Sequence, residues 1–128
     1  MDHILRLRFK LSATAIGRAG EFLAASKIQM SGLETSHADG SCDLLVTLRT
    51  KRVLRVEVKT ALKPASSGSF KFSRGRSDAE VFVFVCMPMG LVRVFSEYQL
   101  RGLQTTTLRP ADFTQQAEAD DIEGLLHR

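Results

Sequence analysis

Two short runs of alternating apolar residues, separated by a basic turn, constrain the fold more than any other part of the chain. The runs cover residues 43–49 and 53–59. If residues 50–52 form the loop, three apolar pairs face each other across two antiparallel strands: Leu44 with Val58, Val46 with Val56, and Leu48 with Leu54. One face is then wholly apolar, so the pattern predicts a hairpin with one face buried in a sheet.

The other face of this hairpin carries ionisable groups at one end. In the same register, Asp43 lies opposite Lys59 and diagonal to Glu57. A slip of one residue would move every side chain to the opposite face, so the hydrophobic pattern requires these groups to share the polar face. Two carboxylates beside an ammonium are suited to holding a hard divalent cation next to a phosphate.

Length and composition indicate one globular domain. The chain has 128 residues, of which 44% are hydrophobic and 25% charged, and this is enough to bury a core without disulfides. Its longest apolar run, residues 81–87, is too short to span a bilayer, and no secretion signal is evident. We therefore expect a cytoplasmic protein with no membrane partner. Cys42 and Cys86 lack metal-ligand spacing and are expected to be reduced rather than paired.

The basic residues are clustered, although the net charge of +4 is modest. One cluster lies within residues 6–10, and the other comprises Lys63, Lys71, Arg74 and Arg76. Such clusters suit a polyanion, because neutralising phosphates releases condensed counterions. We assign the second cluster to a nucleic-acid backbone and expect the interleaved Phe70 and Phe72 to be core residues. A solvated basic face that maintains solubility is the alternative.

Helices and strands are predicted on both sides of the hairpin. Residues 3–11 alternate between apolar and basic side chains, which is typical of an edge strand or an oligomer contact. A helix capped by Ser12 or Thr14 is expected to run to about Ser31, followed by a short strand at 33–37 and a loop at 37–41. Further elements are expected after the hairpin: a fully buried strand at 81–86, a strand at 91–95, a short helix at 97–101, a strand at 105–108 and a terminal helix or frayed tail at 112–126.

One face of the first helix is rich in small residues. This face carries residues at helical three- and four-residue spacings: Gly17, Glu21, Ala24, Ala25 and Ile28. The small side chains predict close packing on the sheet, and this packing would bring Glu21 into the contact face.

The ordered motifs resemble the PD-(D/E)XK nuclease superfamily, and most of all its Holliday-junction-resolvase and group I intron homing-endonuclease branches. The residues that carry the resemblance are Gly17-Arg18-Ala19-Gly20-Glu21, Asp43, and Glu57-Val58-Lys59-Thr60. The resemblance implies an α/β, restriction-endonuclease-like mixed β-sheet flanked by helices. A single domain is expected over residues 1–128, with a core at about 12–102 and a C-terminal tail or helix at 103–128.

Two departures from the family pattern concern sequence and topology. The proline usually found before the first aspartate is absent, since Cys42 precedes Asp43. The family often places a helix after the lysine-bearing strand, but residues 61–77 are interrupted by Pro64, Gly68 and Gly75 and are predicted to form a loop or short strand.

The resemblance also implies an activity: metal-dependent hydrolysis of DNA phosphodiester bonds, with Mg²⁺ as cofactor and Mn²⁺ as an alternative. Asp43 and Glu57 would hold the metal, with the Val58 carbonyl as a further ligand. Lys59 would lie at the scissile phosphate, and Glu21 would be the supporting acid. The expected partner is duplex or branched DNA. One small domain cuts one strand, so a homodimer or larger homo-oligomer is expected.

Several alternatives stay open at the level of sequence. The chain could be a non-catalytic nucleic-acid-binding or assembly protein that retains the nuclease fold, or a nuclease that acts on RNA. Residues 17–20 also match the GXXG loop of a KH domain, which clamps a nucleic-acid backbone. Glu21 could form an ion pair with Arg18 instead of serving a site, and His37 is interpreted as a surface loop residue.

Overall fold

A computed structural model describes residues 12–38, 42–74 and 78–128. Its elements, in chain order, are helix α1 (Ala13–Met30), strands β1 (Glu34–His37), β2 (Leu44–Thr47), β3 (Val53–Ala61), β4 (Phe70–Ser73), β5 (Val81–Cys86) and β6 (Leu91–Ser96), helix α2 (Glu97–Leu100), strand β7 (Thr105–Leu108), a 3₁₀ turn (Pro110–Asp112) and helix α3 (Gln115–Leu126). The predicted strand at 3–11, most of the predicted loop at 37–41, and Arg76 lie outside the described residues.

The main sheet has five strands in the order β1-β2-β3-β5-β6. All neighbours are antiparallel except β3 and β5, which run parallel. Every residue of β5 is buried, because this strand is central and both of its faces are covered. The predicted α/β fold, a mixed sheet flanked by helices, is therefore confirmed.

The predicted register of the β2–β3 hairpin is wrong by two residues. Leu44 pairs with Val56 and Val46 pairs with Leu54. The loop causes the shift: Leu48 accepts a hydrogen bond from the Lys51 N–H and donates one to the carbonyl of Arg52, at 2.9 and 2.8 Å. Lys51 has a left-handed φ of 74°, so the chain reverses one residue earlier than expected. A shift of two keeps the parity, and the apolar and polar faces are those predicted.

Helix α1 begins and ends close to the predicted residues. The Ser12 hydroxyl caps it by accepting a hydrogen bond from the Ala15 N–H at 3.1 Å. Its buried face consists of Gly20, Ala24, Ala25 and Ile28. The helix packs on β1, β3 and β5, and its Ala24, Ala25 and Ile28 belong to the first core, the apolar cluster on one side of the main sheet. Gly17 does not belong to the contact face, because no atom lies within 4 Å of the position that its Cβ would occupy.

The opposite side of β5 is covered by the small antiparallel sheet of β4 and β7. The second core lies between the two sheets and contains Phe70, Phe72, Phe82, Phe84 and Phe113. The rings of Phe72 and Phe84 stack at 4.6 Å. Residues 62–69 form no helix, as predicted, and the β4–β7 pair covers the sheet in place of the usual crossover helix.

Residues 103–128 contribute to both cores. Leu125 of α3 is buried in the first core, and Phe113 is buried in the second. Helix α3 also covers the outer edge of β6. Glu118 and Asp121 each accept a hydrogen bond at 2.8 Å, from the backbone N–H groups of Val92 and Val94. Their carboxylates thus occupy edge donors that another strand could otherwise use.

Two smaller expectations were also tested. Cys42 and Cys86 are free, in agreement with the expectation that they are unpaired, and both are buried. Within the described part of the chain, no helix combines the length and the apolar character needed to cross a membrane.

Candidate metal and phosphate site

Asp43 is held in place by hydrogen bonds to two neighbouring strands. Its N–H donates to the carbonyl of Val56 at 3.0 Å, and its own carbonyl accepts from the Ala38 N–H at 3.0 Å. The side-chain Oδ2 accepts from the Val58 N–H at 2.7 Å. The carboxylate therefore takes the place of a backbone acceptor at the point where β2 begins.

Glu57 lies between Val56 and Val58, the two residues of β3 that hydrogen-bond with Asp43. The sequence predicted Lys59 opposite Asp43, whereas the two-residue shift in register brings Asp43 against the backbone on either side of Glu57. Lys59 lies two residues after Glu57 on the same face of β3, beside Phe84 of β5. The structure thus places Asp43 at the segment of β3 that carries Glu57 and Lys59, in a different register from that expected.

The carbonyl of Val58 points to the edge of β3 at which Asp43 is bound. In a strand, the N–H and C=O groups of one residue are directed to the same side, and the Val58 N–H is bonded to Asp43. The carbonyl oxygen lies beyond the end of the paired part of β2, which begins at Leu44. The Val58 carbonyl, the predicted third ligand, therefore lies at the edge of β3 where the Val58 N–H binds the Asp43 carboxylate.

Helix α1 adds Glu21 to this group. A Cβ on Gly20 would lie 1.7 Å from Oγ1 of Thr60, so only glycine permits this approach of α1 to β3. Burial and the nearby charge of Asp43 raise the pKa of Glu21, whereas His37 and Arg18 oppose this shift. No ion pair joins Glu21 to Arg18 among the described residues. The charge of Asp43 therefore affects the pKa of Glu21 more than the charge of Arg18 does.

The oxygen donors fit a hard cation, although they do not form a complete protein cage. Within the described ranges, no group of three His, Cys, Asp or Glu side chains is arranged to hold a metal ion. The candidate set is smaller: the carboxylates of Asp43 and Glu57 and the Val58 carbonyl. Mg²⁺ is often held by one or two carboxylates, with water and phosphate oxygens completing its octahedron, so this donor chemistry suits it.

The predicted phosphate-binding cations are separated along the chain and differ in their environments. Lys63 is exposed in the loop after β3, and Lys71 projects from the outer face of β4. Arg74 is largely buried: it lies over the Phe82 ring at 5.6 Å and pairs with Glu97 at 3.7 Å. Arg74 is therefore less accessible to a phosphate than the sequence suggested.

Two residues beside Glu21, His37 and Phe22, were given no role in the site by the sequence analysis. His37 is the last residue of β1 rather than a loop residue, and its charge acts on Glu21. Phe22 follows Glu21 on α1, and its ring lies edge-to-face against His37 at 4.8 Å. The short distance from His37 to Asp43 in sequence was the only signal for this pair.

The KH interpretation is wrong. Residues 17–20 lie inside the first half of α1, where no loop is available to clamp a nucleic-acid backbone.

The order of the strands and the flanking helices define a mixed α/β fold. Among solved structures, the chain is similar to a bacterial homing endonuclease, I-Ssp6803I, with a TM-score of 0.70. The similarity covers 91% of this chain and 87% of that chain, at 20% sequence identity. At this identity the likeness establishes the fold. No protein-family model and no curated protein sequence matches the chain.

Proposed function

We propose that this protein is a metal-dependent DNA endonuclease with a site of the PD-(D/E)XK type. The observation that carries the proposal is the position of Asp43. Its carboxylate is fixed by the N–H of Val58, the residue after Glu57, and has Glu21 as a neighbour. Acidic side chains repel one another, so assembling them on a rigid sheet favours a bound cation.

Three groups would hold Mg²⁺: the carboxylates of Asp43 and Glu57 and the carbonyl of Val58. The bound metal would polarise a phosphodiester and lower the pKa of a coordinated water. The chain's own contribution is orientation, since the Val58 N–H fixes the Asp43 carboxylate beside β3, the strand that carries Glu57. Glu21 would accept a hydrogen bond from a water in this site.

Lys59 would bind the scissile phosphate. It shares the polar face with Glu57, and its ammonium is suited to neutralising charge that develops on the phosphate. Lys63 and Lys71 would contact the DNA backbone at a distance from the scissile phosphate. Arg74 and Arg76 are the other two residues proposed to bind the backbone. Such contacts are independent of base sequence and weaken as salt rises.

DNA is the proposed substrate because the similar structure is that of a homing endonuclease. A cytoplasmic location fits this role. One site of this kind cuts one strand, so cleavage of both strands requires two copies. We propose a homodimer or larger assembly, and a monomeric mass by light scattering during double-strand cleavage would contradict it.

The proposal is tested by cleavage assays with Asp43→Asn and Lys59→Ala on supercoiled, branched and single-stranded DNA and on RNA, with Mg²⁺ or Mn²⁺. The asparagine keeps an oxygen acceptor for the Val58 N–H, so the hairpin should remain intact. We expect cleavage to fall on the order of 100-fold or more, comparable with loss of one transition-state contact. Asp120→Asn, at an exposed position of α3, is the matched control and should retain activity.

Each other outcome has a defined meaning. Binding without cleavage in either metal would favour the non-catalytic alternative. Cleavage that survives Asp43→Asn would place the activity at another site or in a contaminant. Cleavage of RNA alone would change the substrate class and retain the site.

A further inference from the structure

An exposed aromatic pair lies next to the acidic site. Phe22 is 60% exposed on α1, although the helix buries small and aliphatic side chains on its other face. Its neighbour His37 is exposed at the end of β1, and the two rings meet edge-to-face at an angle of 63°. A large ring with this exposure adds little to the core, so its place requires another reason.

The pair borders a small cleft that also contains Glu21. This cleft, of about 230 Å³, is lined by Arg18, Glu21, Phe22, His37 and Ala38. One wall therefore carries two aromatic rings, another carries the candidate supporting acid, and the guanidinium of Arg18 is exposed. The cleft thus combines aromatic rings, a cation and the proposed supporting acid. In a bound nucleotide, these groups would face the base, the phosphate and the bond to be cut.

We propose that Phe22 and His37 stack an unpaired nucleobase of the DNA substrate, with Arg18 on the adjoining phosphate. This inference rests on the proposed function and names its substrate class. A base inside a duplex already stacks on its neighbours. An exposed protein ring can therefore stack on a base only in single-stranded or branched DNA, or where a nucleotide is flipped out of the duplex. The substrate is therefore DNA with an unpaired nucleotide beside the scissile phosphate, rather than uninterrupted duplex.

A second protein chain fits this surface less well than a base. The cleft is lined by Glu21 and Arg18 as well as by rings, and charged residues are depleted at the centres of protein interfaces. Phe22 and Glu21 line the same cleft, so a DNA strand bound at Glu21 would lie beside the ring.

The test measures binding in EDTA, where cleavage is suppressed, by fluorescence anisotropy with a flapped oligonucleotide and a matched duplex. Base stacking on an aromatic ring is worth about 5- to 150-fold in affinity. Phe22→Ala and Phe22→Leu should weaken binding of the flap by that factor and leave binding of the duplex unchanged. Phe22→Tyr should bind as the wild type does. Tyr98→Ala removes another exposed ring, 77% exposed on α2, and should have no effect.

A modified substrate identifies the contact itself. An abasic nucleotide at the stacked position should weaken binding by the wild type and abolish the difference between wild type and Phe22→Ala. Equal losses on flap and duplex, or full affinity of Phe22→Leu, would overturn the inference. So would a lower oligomeric mass of Phe22→Ala without any abasic effect, which would assign the ring to a subunit interface.

Failure of the inference is distinguishable from failure of the proposed function. If Asp43→Asn abolishes cleavage and Phe22→Ala binds like the wild type, only the base site is rejected. If Asp43→Asn still cleaves and the flap preference depends on Phe22, only the catalytic assignment is rejected. Absence of binding to any DNA in both EDTA and Ca²⁺ rejects both.

Discussion

Asp43 shows how one side chain can serve structure and chemistry together. Its Oδ2 completes the hydrogen bonding of β3 by accepting the Val58 N–H. A hydrogen bond to a charged group contributes about 1.5–3 kcal/mol to stability, so the position tolerates asparagine better than alanine. Because the carboxylate is anchored in this way, the fold itself fixes its position beside the backbone of β3.

Glu21 gives a prediction about pH and stability in the metal-free protein. Burial and the charge of Asp43 raise the pKa of Glu21 in the folded state above its ordinary value of 4.5. The folded protein therefore keeps this proton at pH values where the unfolded chain has lost it. Stability falls as pH rises from about 4.5 through the raised pKa of the folded state.

The expected result is that Glu21→Gln flattens this fall and is more stable than the wild type at neutral pH in EDTA. Below pH 4.5 the two proteins should converge, because the carboxyl is then protonated in both states. Urea unfolding across this pH range measures the difference. Glu34→Gln, at an exposed position of β1, controls for loss of a charge. An unchanged slope in Glu21→Gln would contradict the prediction.

At the scale of elements, the contact between α1 and β3 sets the distance of Glu21 from the hairpin. Gly20 permits this contact, since an added Cβ would collide with Thr60. Gly17, one turn earlier in the same helix, faces open space. The two glycines therefore offer a matched pair in which the same substitution should have opposite signs.

We expect Gly20→Ala to destabilise the protein by about 1–3 kcal/mol, because a closely packed contact is overfilled. Gly17→Ala should stabilise it by up to about 1 kcal/mol, through helix propensity alone. Urea unfolding measures both changes. Thr60→Gly removes the side chain that the added Cβ would meet, so it should let α1 return to its place beside β3. The double variant Gly20→Ala/Thr60→Gly should therefore bind Mn²⁺ more nearly like the wild type than Gly20→Ala does. Equal effects of the two single alanine variants would mean that the helix can move away from β3 without cost.

The edges of the sheet differ at this same scale. The outer edge of β6 is covered by α3, whose Glu118 and Asp121 occupy two backbone donors. Strand β1, at the other end of the strand order, has mostly exposed residues. The sheet thus protects one edge by helix side chains, and this protection disfavours assembly through β6.

For the whole molecule, β5 connects the two cores. Val81, Val83 and Val85 belong to the first core, and Phe82 and Phe84 belong to the second. Because one strand contributes to both, we expect the cores to unfold together in a single transition.

Phe113→Ala tests this coupling. Phe113 is 2% exposed in the second core, so its truncation should cost about 3–5 kcal/mol. The whole denaturation curve should move to lower urea, whether it is followed by far-UV circular dichroism or by hydrogen exchange in β2. Leu125→Ala, from the first core, should move the same transition. Separate transitions for the two variants would show that the cores are independent.

Prediction from sequence succeeded where a pattern has a local cause. The cap at Ser12, the uninterrupted burial of 81–86 and the turn before 91 follow from residue type and periodicity. The same reasoning identified which side chains share the buried, apolar face of the hairpin. It failed for the hairpin register, because a shift of two residues preserves both faces and only the loop hydrogen bonds at Leu48 distinguish the alternatives.

The chain by itself determined its alternating faces, its small-residue helix surface and the presence of acids near the ends of two strands. These properties depend on neighbours within a few positions. Tertiary structure alone decided that Asp43 bonds to the backbone on either side of Glu57, and that Glu21 lies near Asp43 and beside the Phe22–His37 pair. Those relations join segments distant in sequence, and they depend on how closely a helix approaches a strand and where a loop reverses.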